Sequence, residues 1–294
     1  MGFTGLARWI NAPTTGLDLV QHNIIRNHQG HLIGKWQLSV KSFRSTLGST
    51  PGFQVPAERS MCTLTMNENV FVLLEDPAAP MKADVQQMAE ADPTAVIYPP
   101  HFRSTFLTLS PPGALEQLLA QLKARWVSVR QAAAPAAGQK AATTGQQLVI
   151  DGHIYAIGQD WLVRAGNVIL AGGAVKGMLL EAEYLPLPVM HTQTADGTSE
   201  LLSNLLLSVL PNVPDAKTVA VTISDSQWEE VLWDREEEEE QAEVERNKPP
   251  VDEDDIYVSE GDSPASKRGD WTGIDRDKRS AFLIMGALKS EGIL

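Results

Sequence analysis

The sequence predicts an α+β fold, an antiparallel sheet with helices packed on it. Three observations carry this. Stretches that alternate every second residue recur along the chain; two of them, within residues 160–188, close into a hairpin around a Gly-rich turn. The helical stretches are also too few to alternate one-to-one with the strands, which argues against a parallel doubly wound sheet.

The hairpin is the organising stretch. One strand runs from Trp161 to Leu170, and a second begins at Val175 after Ala171-Gly-Gly-Ala. Gly172 and Gly173 can supply the positive φ of a tight turn. In the second strand Met178, Leu180, Ala182 and Tyr184 share one face, and Leu179, Glu181, Glu183 and Leu185 the other. Pro186 and Pro188 lack the N–H of a central ladder and end it.

The other elements follow in order. Phe3 to Ile10 reads as a first strand, broken by Asn11-Ala-Pro-Thr. Thr14 or Thr15 caps a helix with Leu17, Val20, Ile24 and Ile25 at helical spacing, ending near Gly30. Gly34 to Ser45 alternates Trp36, Leu38 and Val40 against Lys35, Gln37, Ser39 and Lys41; Phe43 falls on the polar face, which suggests a bulge or the strand's end. Met61–Met66 and Val70–Glu75 form another hairpin, and the middle of Asp76–Pro93 a short helix. Ala95–Tyr98 and Thr105–Leu109 read as short strands. Leu115, Leu118, Leu119, Leu122, Trp126 and Val129 follow helical spacing behind Pro111-Pro112, and predict a helix over 115–129. Gln147 to Gly158 is a strand leading into the central hairpin. A second Leu-rich helix, capped by Thr198 or Ser199, runs to Pro211; Val219–Ile223 is a last strand.

Residues 1–234 thus read as a single domain, with a flexible Ala-, Gly- and Thr-rich insertion at about 131–146. Residues 235–277 read as an acidic disordered segment and 278–294 as a short C-terminal helix. Its Phe282–Leu288 patch is too apolar to stay bare.

Charge and composition narrow the function classes. Residues 236–262 carry thirteen acids and two bases, which accounts for −11 of the net −13. The folded part therefore has no basic field to attract nucleic acid, and no direct sequence-specific nucleic acid binding is expected. No apolar run approaches the roughly 20 residues of a membrane span, so no membrane association is expected. The single Cys62 permits no intrachain disulfide and no Cys-based zinc site.

The sharpest chemical candidate is Glu181-Ala-Glu183. Two carboxylates two positions apart on a strand share a face about 7 Å apart, and such a pair can hold a divalent cation. The plainer reading is a solvated or partner-facing strand side. Arg164 and Lys176 are the bases nearby, and every other Glu-x-Glu lies in the acidic tail. The six histidines (22, 28, 31, 101, 153 and 191) show no metal-ligand spacing. Neither a P-loop nor a nucleophile elbow is present. No cofactor, metal or catalytic residue is expected.

The hairpin also carries a resemblance. Val163-Arg-Ala-Gly-Asn-Val-Ile-Leu, followed by Lys176-Gly-Met-Leu-Leu-Glu-Ala-Glu-Tyr-Leu-Pro, resembles the paired strands of the Mediator complex subunit 20 family. Phe43-Arg-Ser-Thr-Leu-Gly matches the family's N-terminal half, and the order of elements over about residues 1–210 fits. The resemblance implies a partly open β-barrel with flanking helices, in a fungal-type member with an acidic C-terminal extension. It implies a nuclear, non-enzymatic subunit of the Mediator head module, regulating transcription by RNA polymerase II. Its partners would be subunit 18 and the C-terminal helix of subunit 8. The Ala-rich insertion and the acidic extension depart from the family pattern. Two rivals remain: a metal-dependent tunnel-type triphosphatase using Glu181 and Glu183, since the family's barrel is similar to such enzymes, and a barrel that binds a small ligand.

Overall fold

The computed structural model describes residues 3–46, 58–91, 99–121, 126–128, 147–186, 200–210, 217–221, 274–290 and 292–294. Among these residues ten strands form one antiparallel sheet: β1 (Phe3–Ile10), β2 (His31–Ser45), β3 (Ser60–Met66), β4 (Asn69–Glu75), β5 (Ser104–Leu109), β6 (Trp126–Ser128), β7 (Gln147–Ile157), β8 (Trp161–Leu170), β9 (Val175–Tyr184) and β10 (Lys217–Val221). Among the described residues five helices accompany it: α1 (Gly16–Asn27), α2 (Lys82–Ala91), α3 (Ala114–Gln121), α4 (Glu200–Val209) and α5 (Ile274–Ser290). The fold is α+β, as the alternation predicts.

The strand order is β10-β1-β9-β8-β7-β2-β3-β4-β5, with β6 on β2. Among the described residues β10 and β5 do not pair, so the sheet ends open rather than closing into a barrel. The central hairpin forms as predicted. Gly173 takes φ 82° and donates its N–H to the Leu170 carbonyl at 2.8 Å. A side chain there would strain the turn.

Strand alternation divides the core between two faces. On one, Leu6, Trp36, Leu38, Val40, Leu64, Phe71, Leu148, Ile150, Val168 and Leu179 pack against Ala281, Ile284, Met285 and Leu288 of α5. On the other, Ala7, Trp9, Tyr155, Val163, Ala165, Met178, Leu180 and Ala182 pack against Val20 and Ile24 of α1 and Leu202, Leu206 and Val209 of α4. A Cβ on Gly5 would lie 2.8 Å from Leu202 Cδ1, so glycine there lets α4 approach β1. A smaller cluster on the second face joins Met61, Val70 and Val72 to Leu115 of α3.

Several expectations are corrected. The helix expected over 115–129 does not reach Trp126: the described helix is Ala114–Gln121, and Trp126 opens β6, paired Ser45↔Trp126 along β2. Trp126 packs on the Leu115 cluster in this strand form too. Pairing also satisfies backbone groups of β2 beyond the reach of β7, which a longer helix would leave open. Phe43 marks neither a bulge nor the strand's end: β2 runs on to Ser45, and Phe43 packs in the α3 cluster. The bulge lies between Leu32 and Gly34. The C-terminal helix begins at Ile274, not Lys278, so the last four residues of the expected disordered segment are helical. The strand expected at 95–98, the insertion, the cap at Thr198 or Ser199, and residues 235–273 lie outside the described residues.

Candidate functional site

The hairpin's alternation sends Glu181 and Glu183 to one face, but that face is neither solvated nor open. Glu181 is 0% and Glu183 1% exposed. This corrects the plainer reading of the pair. A strand side with two carboxylates is buried because charge meets it from two directions.

The first direction is the neighbouring strand. Arg164 of β8 stands opposite Glu181 in the β8–β9 register. Its Nη1 donates to Glu181 Oε1, and its Nη2 lies 3.3 Å from Glu183 Oε2. The second direction is α5. Arg276 donates to Glu183 Oε2 from Nε at 2.9 Å and from Nη2 at 2.6 Å. Ser280, one turn further along the helix, donates its hydroxyl to Glu181 Oε2. Residues i and i+4 share a helix face, so one face of α5 supplies both groups. Lys176, the other base near the pair in sequence, is exposed.

The electrostatics are those of a matched cluster. Burial alone would lower the Arg164 pKa; Glu181 and Glu183 outweigh it and hold the guanidinium above its ordinary value. Burial pushes the Asp277 carboxyl up, against opposing pulls from Asn67, whose Nδ2 donates to it at 3.1 Å, and from Arg164 and Arg276. Next to Leu6 on β1, Arg8 is 2% exposed, and its Nη2 reaches the Lys176 carbonyl at 3.4 Å.

Chemically the arrangement joins two carboxylates to two guanidiniums under a helix. Glu181 accepts at both oxygens, and Glu183 takes three donors on one. Among the described residues no three His, Cys, Asp or Glu side chains gather as a potential metal site. Arg276 and Ser280 were not singled out from the sequence. Their four-residue spacing just ahead of the apolar patch was the available signal.

The other candidates do not converge here. His28 Nε2 lies 3.1 Å from the Ser208 carbonyl, joining α1 to α4. His101 Nε2 lies 2.9 Å from Asp76 Oδ2, and Arg59 Nε is 2.7 Å from the same oxygen without hydrogen-bond geometry. Burial would raise the Asp76 pKa, but His101, the Ala78 N–H and Arg59 together lower it. This anchor, where β4 ends, was also not read from the sequence. Cys62 is half-buried, and burial pushes its thiol up to about 12.

No family model and no curated protein matches the chain. Solved structures do. An assigned adenylate cyclase from Vibrio parahaemolyticus is 11% identical, with 76% of this chain and 96% of that one covered and a TM-score of 0.35. An assigned adenylyl cyclase from Hippeastrum, described as having a dominant triphosphatase activity, is 10% identical over 73% and 93%, with a TM-score of 0.30. The mimivirus capping-enzyme triphosphatase is 10% identical over 71% and 88%, with a TM-score of 0.22. These neighbours bear the names of enzymes. The expectation of a chain without enzymatic activity is corrected accordingly and is not kept.

Proposed function

We propose that the chain is an assembly subunit of the Mediator head module, regulating RNA polymerase II transcription in the nucleus. Its partners in this reading are subunit 18 and the C-terminal helix of subunit 8. The hairpin residues Val163–Leu170 and Lys176–Pro186 support it by resemblance. The geometric support is the closed Arg164–Glu181–Glu183 cluster: the chain's own helix takes up the acidic pair, leaving outer surfaces for partners. Leu19 and Ile25 of α1, and Leu201 and Leu207 of α4, are exposed apolar side chains on the outer helices. Such residues can anchor a protein interface. Co-expression with the two candidate partners, followed by size-exclusion chromatography, tests this. Co-elution at equal ratio is expected; a chain that runs alone with both partners present overturns the reading.

A second reading is a triphosphate-cleaving enzyme, and it is the one toward which the named structural neighbours point. The observation that favours it is the convergence of two carboxylates with Arg164 and Arg276 on one face of an open antiparallel sheet. Carboxylates could bind a divalent cation and guanidiniums a phosphate chain once the present pairing is exchanged. The test is release of phosphate from a nucleoside triphosphate with manganese. Activity lost in a folded Glu181→Gln variant supports it; equal release by wild type and variant overturns it.

A further inference from the structure

Helix α5 sits on the sheet as a ligand sits on a receptor. Backbone hydrogen bonds run along the helix, and the strands of the sheet pair with one another. Side chains cross between them, from Arg276, Ser280 and Lys289 of the helix to Glu183, Glu181 and Glu75 of the sheet. In the sequence, residues 222–273 separate β10 from α5.

The contact has the anatomy of a specific helix-docking site. The centre is apolar: Ala281, Ile284, Met285 and Leu288, at i, i+3, i+4 and i+7, are all 1% exposed or less. Phe282 meets Phe106 of β5 edge-on, with ring centroids 5.7 Å apart. The ends are polar and register the helix. Arg276 and Ser280 reach Glu183 and Glu181 at one end, and Lys289 pairs with Glu75 at the other. Asn67, in the β3–β4 turn, holds Asp277. A helix of opposite direction would leave the buried carboxylates without their donors.

We infer that this face of the sheet is a helix-binding site and that residues 274–294 are its tethered, exchangeable ligand. The occupant is an amphipathic helix with an arginine one turn ahead of a serine and an apolar stripe behind them. Tethering makes docking an intramolecular event, which keeps the site filled in the intact chain. Cutting the tether turns docking into an ordinary bimolecular equilibrium.

The experiment uses the full chain with a protease site inserted near residue 250. After cleavage, a fluorescent peptide of residues 274–294 is added, and uptake is read by anisotropy, with the sheet followed by circular dichroism. Saturable uptake by the cleaved protein is expected, with at least tenfold less by the uncleaved chain. The same peptide carrying Arg276→Ala should bind about tenfold more weakly, through loss of a charged hydrogen-bond pair. If the cleaved protein admits no labelled peptide over days, or loses its sheet signal when the cut segment leaves, α5 is an integral part of the core and the inference fails. No Mediator partner and no nucleotide enters the assay, so its failure is distinct from failure of either functional reading.

Discussion

On the face covered by α1 and α4, strands β1, β8 and β9 turn Ala7, Trp9, Val163, Ala165, Met178, Leu180 and Ala182 inward. On the face covered by α5, the same three strands present Leu6, Arg164, Leu179, Glu181 and Glu183. Burial is equally deep on both sides, but the closing forces differ. The first face is held by apolar area, at about 1.5–3 kcal/mol for each large side chain fully buried. The second adds a charge cluster whose desolvation cost is offset only while every partner is present. Two carboxylates on a strand are therefore compatible with deep burial, provided a distant segment returns with the matching donors.

The contrast can be broken most directly at Arg164. Arg164→Ala leaves two buried carboxylates short of a donor and should cost about 3–5 kcal/mol in urea unfolding. A loss under 1 kcal/mol would mean that solvent reaches the pair. Replacing Arg164, Glu181, Glu183, Arg276 and Ser280 together by apolar residues of similar volume should instead leave stability near or above the wild type. On the apolar face, Leu206→Ala should cost about 2–4 kcal/mol from lost burial and the cavity left, with little dependence on pH or salt.

Smaller effects sharpen the same contrast. The folded-state pKa of Asp76 is depressed, so its stabilising contribution is present above the unfolded value of about 3.9 and is lost as pH falls through the folded value. Stability curves of wild type and Asp76→Asn should separate at neutral pH and converge on acidification below about pH 4. Curves that stay parallel down to pH 2 would remove the anchor role. The exposed Lys41–Glu116 pair, 3.0 Å apart, should matter least: Lys41→Ala should cost under about 1 kcal/mol, and less in high salt.

Much of the fold was legible because it is local. The Phe3–Ile10 strand, the 61–75 hairpin and the central hairpin each carry their period within a few residues, and each formed where alternation placed it. Trp126 shows the limit. Its helical spacing from Leu115 and Leu119 is real, yet the same side chain reaches the same cluster from a strand, and the edge of β2 decided between the two. Asp76 shows another limit, since its partners Arg59 and His101 lie in separate segments of the chain.

Sequence by itself determined that Glu181 and Glu183 share a face, because side-chain direction in a strand is set by the two-residue repeat of the backbone. It also determined that the Phe282–Leu288 patch needs a cover. Only the tertiary structure decided that each answers the other. Arg276 and Ser280 lie more than ninety residues along the chain from the carboxylates they meet. No local period encodes such a meeting, which arises when an apolar helix and a half-charged strand face each bury what the other leaves unsatisfied.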